Sequence, residues 1–370
     1  MLAELRIDLG AIRRNVAALT ALIAPARLVP VVKANAYGHG LVAVARTLAA
    51  QAERLAVYDL DEAVALRDAG ILTPIHVLGP IPVEALDVAH AAAAEITLWD
   101  DDLFAAQVAS AARRRRSLFR VHAKIDTGVT RLGMHASDAP RILAHYAATP
   151  EFDLAGVFSH LAAAEELDST FTHEQLARFA AATAGCNPAI ERHIAASAAA
   201  MLWPETRLDA VRAGIAIYGL WPSPETAAAM REREGFTLEP ALSWHTQLVA
   251  IHDVPAHTPV GYGCSYHTKR PSRIGVLPIG YAEGLPRAAG DRAHVLVDGQ
   301  RCRLVGRICM NMAFVDVTEA RHAATGTRVT LAGADHGARA TIDELAAAMG
   351  TINYEVVARL PAHVPRTFVD

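Results

Sequence analysis

Short apolar runs recur through the first two thirds of the chain, and each is followed by a longer alanine-rich stretch with helical spacing. RLVPVVK (27–33) is β-branched and ends in a polar loop, ANAYGHG, before the helical run LVAVARTLAA. RLAVYDL (54–60) leads into DEAVALRDAG, where Asp61 is placed to cap a helix and Gly70 to end it. PIHVLG (74–79), EITLW (95–99), LFRVHAKID (118–126), LAGVFSHL (154–161), RHIAAS (192–197) and DAVRAGI (209–215) complete the series. Strands that alternate with helices predict a parallel sheet, and eight such units predict an α/β fold closed as a (β/α)8 TIM-like barrel. An open doubly wound sheet is the rival arrangement.

After about residue 235 the pattern changes. Helical stretches give way to short alternating strands such as SWHTQLVAIHDV, RIGVLPIGYA, HVLVDG, CRLVGRI, FVDVT and RVTLAG. Asp298-Gly299 marks a hairpin turn, and Thr341 precedes one late helix in TIDELAAAMG. The reading is therefore a barrel over residues 1–235 and a mostly-β C-terminal domain over 236–370.

Composition narrows the function classes. The 370 residues are 52% hydrophobic and 20% charged, enough for a sizeable core, and the formal net charge of -4 gives no reason to expect a nucleic-acid partner. The one basic run, Arg113 to Arg116, reads as the solvated end of a helix. The N-terminus does not read as a signal peptide and no segment reads as a membrane span, so a cytoplasmic protein is expected. Cys186, Cys264, Cys302 and Cys309 have neither CxxC spacing nor framework density, which fits reduced thiols. No His/Cys group has metal-ligand spacing along the chain, and no metal is expected.

The candidate chemistry gathers at predicted strand ends. Lys33 closes an apolar strand, at the barrel face where such enzymes place reactive groups, and a lysine amine there can form a Schiff base with a carbonyl cofactor. Tyr37 follows in the loop. In KIDTGVTRLGMH (124–135), Lys124 ends a strand and Arg131 sits in a tight loop with Asp126, suited to a carboxylate or a phenolate oxygen. His160, Ser197, Arg212, Gly214 and Ile215 also fall at strand ends, and a glycine turn leading into a helix suits a phosphate. In the second domain, VGYGCSYHTKRP holds Tyr262 and Tyr266, GRICMNM holds Arg307, Cys309 and Met310, and INYE holds Tyr354. Each of these residues, taken singly, has an ordinary structural reading as a core, cap or surface group.

Together the segments resemble the alanine racemases, fold-type III pyridoxal enzymes. The resemblance runs from AELRIDLGAIRRN to INYEVVARLPAHVPR, with VVKANAYGHG, KIDTGVTRLG, FSHL, GYGCSY and GYAEGLPR in order between them. It implies pyridoxal 5'-phosphate on Lys33, which also serves as one catalytic base, with Tyr262 of the partner subunit as the opposite base in a homodimer with shared active sites. It implies a phosphate site at Tyr37, Ser197, Gly214, Ile215 and Tyr354, and His160 beside the pyridine ring. Arg212 would face the ring nitrogen, Arg131 the ring oxygen and the substrate carboxylate, and the Met310 N–H the same carboxylate. Lys124 matches a lysine often carbamylated in that family. The expected activity is the interconversion of L- and D-alanine, supplying D-alanine for peptidoglycan.

Two positions depart from the family's pattern. Asn311 stands where aspartate is common, which opens the question of serine or broader substrates. Leu285 stands where an aromatic is frequent, beside an access channel expected at Tyr281, Arg307 and Ile352. A decarboxylase of basic amino acids and a non-catalytic pyridoxal-binding barrel are the competing classes; the RAGI turn, the GYG tyrosine and the C-terminal domain speak against them.

Overall fold

The computed structural model describes residues 2–99 and 103–370. Eight parallel strands close on themselves: β1 (Arg27–Pro30), β2 (Leu55–Val57), β3 (Ile75–Val77), β4 (Ala94–Leu98), β5 (Phe119–Asp126), β6 (Phe152–Phe158), β7 (Glu191–His193) and β8 (Ala210–Ala213). Parallel ladders run in order from β2 to β7, and β8 pairs with β1. The bridges Val31–Ala56 and Ala196–Arg212 join the two sets and complete the circuit. All eight runs expected from the sequence are barrel strands, and the open-sheet alternative is excluded by this closure.

Both faces of the strands are covered: Leu55–Val57, Ile75–Val77 and Ala94–Leu98 are buried at every residue. The helices lay one apolar stripe against them. In Leu41–Leu48 the buried positions are Leu41, Val44, Ala45 and Leu48, the spacing of a single helical face. The next helix, Leu60–Asp68, is capped by Asp59, whose side chain accepts from the Glu62 N–H. Asp61 lies one step inside the first turn, so the expected cap is displaced by two residues. Gly70 does close that helix, at φ 78°. The arginine run ends the helix Leu103–Arg115, with Arg113 on Glu151 and Arg115 on Asp87.

A second compact unit holds Pro240–Asp370 together with the N-terminal strand Glu4–Asp8 and the segment Tyr37–Gly40. The strand Glu4–Asp8, within the 1–235 span read from sequence as the barrel domain, pairs antiparallel with Leu242–Gln247 and parallel with Arg366–Val369. Its burial alternates, with Leu5 and Ile7 fully buried between outward Glu4 and Arg6. That is the pattern of a strand with one wet face, unlike the barrel strands. Gly38 belongs here because nothing larger fits: its φ is 77° and a Cβ would lie 2.0 Å from the Val357 carbonyl oxygen.

Asp298-Gly299 makes the tight hairpin between His294–Val297 and Gln300–Arg303, both residues at positive φ. The helix Ile342–Met349 opens on a reciprocal cap, Thr341 Oγ1 accepting from Glu344 N and the Glu344 carboxylate accepting from Thr341 N. No helix among the described residues is long and apolar enough to cross a membrane, and the four cysteines are free thiols. Thr341→Ala removes half of the reciprocal cap, and is expected to lower unfolding free energy by about 1 kcal/mol. Chemical denaturation of wild type and variant measures it, and an unchanged midpoint would contradict the capping role.

Candidate active site

Lys33 sits three residues past the end of β1, and the chain turns in an unusual way to hold it. Ala34, Asn35, Ala36 and Tyr37 all lie in the left-handed region, with φ between 51° and 55°. Four such residues in a row, none a glycine, strain the backbone by roughly 1–2 kcal/mol each. The turn is pinned by specific bonds. Asn35 N donates to Glu62 Oε1 at 3.1 Å, Asn35 Oδ1 accepts from Leu41 N at 2.8 Å, and Ala36 N donates to Val32 O at 2.8 Å. The loop expected from the sequence is thus a fixed left-handed turn.

The barrel brings a crowd of cations around that lysine. Burial lowers the Lys33 pKa, and Arg131 and Arg212 lower it further, while Glu62 works against them. Lys124, at the end of β5, is brought down to about 8 by burial, then by Arg131 and Arg212. Its Nζ lies 5.4 Å above the Phe158 ring. His160, after β6, falls to about 3 because it is buried beside Arg212, Arg131, Lys124 and Lys33, so it is neutral at any working pH. The loop that carries Arg131 hangs on Asp126. Its carboxylate accepts the backbone N–H groups of Gly128, Val129, Thr130 and Arg131 at 2.8, 2.9, 3.2 and 3.0 Å. Burial would raise the Asp126 pKa, but these four donors hold it below its ordinary value.

Arg212, in β8, is anchored on the protein by four bonds. Nη1 donates to His193 Nδ1 at 2.6 Å and to His193 O at 2.9 Å; Nη2 donates to Ser159 O at 2.6 Å and to Ile194 O at 3.2 Å. One N–H, on Nε, is left over from the five a guanidinium carries. Next to it in sequence, Gly214 N donates to Ser197 Oγ at 3.1 Å, and Ile215 is buried at the start of a short 3-10 turn. Lys33, Lys124, Arg131, His160 and Arg212 therefore share one electrostatic neighbourhood, with Ser197, Gly214 and Ile215 grouped on the adjoining strand ends.

The remaining candidates belong to the second unit. Tyr37 and Tyr354 face each other with ring centroids 6.4 Å apart, and burial pushes the Tyr37 phenol up to about 12. Tyr262 stands between Gly261 at φ 73° and Gly263 at φ 69°, and is 72% exposed. A Cβ at Gly263 would meet the Arg307 guanidinium at 2.6 Å. Met310 is 57% exposed. Asn311 donates to Glu283 Oε1 at 2.7 Å, and the other oxygen of Glu283 accepts from Gly280 N at 2.8 Å. The asparagine is thus a neutral partner for a buried carboxylate. Leu285 is fully buried, so it fills the core of this unit, whereas Tyr281 and Ile352 are exposed.

The sequence is similar throughout to known enzymes. Residues 7–222 match the family described as alanine racemase, N-terminal domain, and residues 241–368 match alanine racemase, C-terminal domain. The chain belongs to the alanine racemase family. The alanine racemase of Symbiobacterium thermophilum is 39% identical over 368 residues, covering 98% of this chain and 96% of that protein. The Desulfovibrio desulfuricans alanine racemase is 39% identical over 371 residues, with 98% and 97% covered. Among solved structures, the Streptomyces lavendulae alanine racemase superposes with a TM-score of 0.93 at 34% identity, covering 100% of this chain and 97% of that one.

The chain is accordingly a pyridoxal-phosphate-dependent racemase. The barrel residues fit that cofactor. They offer an amine whose proton is disfavoured, guanidinium and ammonium groups for anionic oxygens, and a neutral imidazole for the ring. Several site groups escaped the sequence reading. Glu62, which pins the left-handed turn, sits inside a helix and gives no motif. His76, His122 and His193 meet in the barrel, their ligand atoms all within 4.8 Å of one another. The one legible signal was alternation: His122 is two residues from Lys124, and His193 two from Glu191, so each pair shares a strand face.

Two predictions follow from these environments. Burial holds His76, His122 and His193 below the usual histidine pKa. Unfolded chains bind the protons these rings refuse, so stability is full above the ordinary value near 6.5 and is lost as pH falls below it. The loss is expected at about 1.4 kcal/mol per pH unit for each such ring. Urea unfolding at pH 7, 6 and 5 tests this, and a flat profile would refute it. Asn311→Asp would set a second carboxylate against Glu283. It is expected to lower stability at neutral pH by about 1–3 kcal/mol, with partial recovery as the pair takes up a shared proton on acidification.

Proposed function

We propose that the enzyme interconverts L- and D-alanine with two bases on opposite faces of the substrate Cα. The observation that carries this reading is the Lys33 amine, half-buried at the C-terminal mouth of the barrel and kept from easy protonation by that desolvation and by Arg131 and Arg212. Pyridoxal phosphate, when bound, supplies the electron sink that makes a Cα proton labile. Lys33 carries that cofactor and moves the proton on one face. Tyr262 of a partner subunit serves the other face, a role supported by its 72% exposure and its glycine-flanked turn. The assembly is then a homodimer with shared sites.

Arg131 takes the substrate carboxylate, its loop held still by Asp126, and the backbone N–H of Met310 from the partner subunit assists. Lys124, with a pKa of about 8, has a neutral amine fraction at physiological pH. That amine is a nucleophile toward dissolved carbon dioxide, and carbamylation there would turn a cation beside Arg131 into an anion that orients it. Ser197, Gly214 and Ile215 would hold the cofactor's phosphate, a role that the family resemblance extends to Tyr37 and Tyr354. Tyr37 stays a neutral phenol able to donate. His160, a neutral imidazole, would flank the cofactor's ring. Arg212 would hold the ring nitrogen with its remaining Nε–H. A guanidinium gives up its proton so reluctantly that the nitrogen would stay unprotonated, which would restrain side reactions such as transamination.

Tyr262 and Tyr354 limit the side chain to about a methyl group. One extra atom is refused by only about 1–3 kcal/mol, so serine is a poor second substrate. Asn311 is occupied by Glu283, which supports alanine rather than a broadened site. A cytoplasmic location and a role in supplying D-alanine for peptidoglycan complete the proposal.

Incubating the holoenzyme with L-alanine in heavy water tests it. D-alanine carrying deuterium at Cα is expected, with Lys33→Ala inactive and Tyr262→Phe slower by roughly 10²–10⁴. Racemisation of serine with alanine untouched would overturn the substrate, and no turnover of any amino acid would overturn the activity.

A further inference from the structure

Barrel interiors are ordinarily packed with Val, Ile and Leu. Here a polar column crosses the lumen, because residues on strands that are not neighbours bond to one another. His122 of β5 meets His193 of β7 at 3.2 Å between Nδ1 and Nε2, and stacks on His76 of β3 with ring centroids 4.0 Å apart. Gly156 in β6 leaves the room, since a Cβ there would lie 2.3 Å from His122 Nδ1. All three rings are buried at 1% exposure or less.

A metal ion is the first thing such a trio suggests, and the hydrogen bonds argue against it. Both nitrogens of His122 and both of His193 are already engaged. Only His76 Nδ1 lacks a partner, while its Nε2 bonds Thr97 Oγ1. An ion there would also sit between the Arg54 and Arg212 guanidinium groups, which already depress the rings' affinity for a proton.

The same bonds have one consistent direction. A guanidinium only donates, so His193 Nδ1 is an acceptor and its proton resides on Nε2. That Nε2–H must donate to His122 Nδ1, which leaves the His122 proton on Nε2, donating to Glu95 Oε2 at 2.9 Å. Glu95, at the start of β4, ends the chain as a carboxylate. Burial would raise its pKa, but His122, Arg54 and Arg120 bring it to about 2. It lines a cavity of about 560 Å³ at the N-terminal end of the strands, with Arg54 and Arg120. Arg54 ties Glu95 to Glu191, at 2.5 and 2.6 Å.

We propose that Glu95, His122 and His193 form a positioning relay that runs the depth of the barrel and locks Arg212 in its working orientation. The relay rests on the role given above to Arg212. The fixed carboxylate at the far end dictates the tautomer of His122, which dictates that of His193. His193 then presents a bare Nδ1 to Arg212. If the relay is broken, His193 is free to carry its proton on Nδ1, where it would face the Nη1–H, donor against donor. Arg212 would turn away, and its Nε–H with it.

His122→Phe and His122→Asn separate this from simple packing. Phenylalanine fills the space but offers no acceptor. Asparagine is smaller but its side-chain oxygen sits near the place of Nδ1. The phenylalanine variant is expected to lose about tenfold in kcat, with KM within about twofold of wild type, and the asparagine variant to recover most of that loss. Ring ¹⁵N–¹³C solid-state NMR of histidine-labelled protein, with His193 assigned through His193→Asn, should show His193 as the pure Nε2–H tautomer in wild type and His122→Asn. A mixture is expected in His122→Phe. A phenylalanine variant as active as the asparagine one, or a His193 tautomer identical in all three, would overturn the relay. If wild type fails to racemise alanine, the activity falls instead, and the tautomer measurement still decides the relay.

Discussion

The barrel's defining constraint is that it holds several cations close together. Arg212, Arg131, Lys124 and Lys33 repel one another, and burial strips water from Arg212, Lys124 and, in part, Lys33, while Arg131 stays exposed. Such a group persists only if every charge is met by a hydrogen bond or a counter-charge. Arg212 is met by three backbone carbonyls and an imidazole. Arg131 stands on a loop gathered around Asp126. Burial lowers the proton affinity of Arg212 to about 10, where a guanidinium stays charged, and it lowers that of the two lysines as well, with the neighbouring cations adding to the fall. In a lysine that fall leaves an amine ready for covalent chemistry, so burial and repulsion together prepare the site.

The strained turn after Lys33 belongs to the same economy of positions. Four left-handed residues would uncoil in a free peptide. They persist because Glu62 and the Asn35 side chain take up backbone groups that the turn leaves open. Glu62 also accepts from Tyr58 N, so one carboxylate fixes the ends of two consecutive strands and places a negative charge near the amine. Neutral Asn311 on Glu283 shows the complementary device in the second unit, where a charge is satisfied without adding another.

Seen from its far end, the barrel is as polar as at its mouth. Arg27 and Arg54 on Glu191, and Arg54 and Arg120 on Glu95, make a network of alternating sign whose centre, Arg54 with its two carboxylates, is buried. Its members hold one another, so removing one strands the others. His122 and His193 connect that network to Arg212 as neutral, directional groups. They carry orientation across the lumen without placing another charge in it.

The amino-acid sequence by itself determined the strands of the barrel and the change of character near residue 235. Those features depend on local periodicity: continuous apolar runs, helical stripes, glycine turns. Its motifs were also specific enough to disclose the family, since VVKANAYGHG and KIDTGVTRLG each place several reactive types at fixed spacing. The sequence did not place Glu4–Asp8 with the C-terminal strands, because its alternation says which face is wet and not which strand it joins. Nor could it show the histidine column, whose members lie 46 and 71 residues apart along the chain. Their meeting depends on barrel closure, a non-local event, and on Gly156 leaving the space for one ring. Only the tertiary structure could decide that, because hydrogen-bond direction is set by neighbours in space.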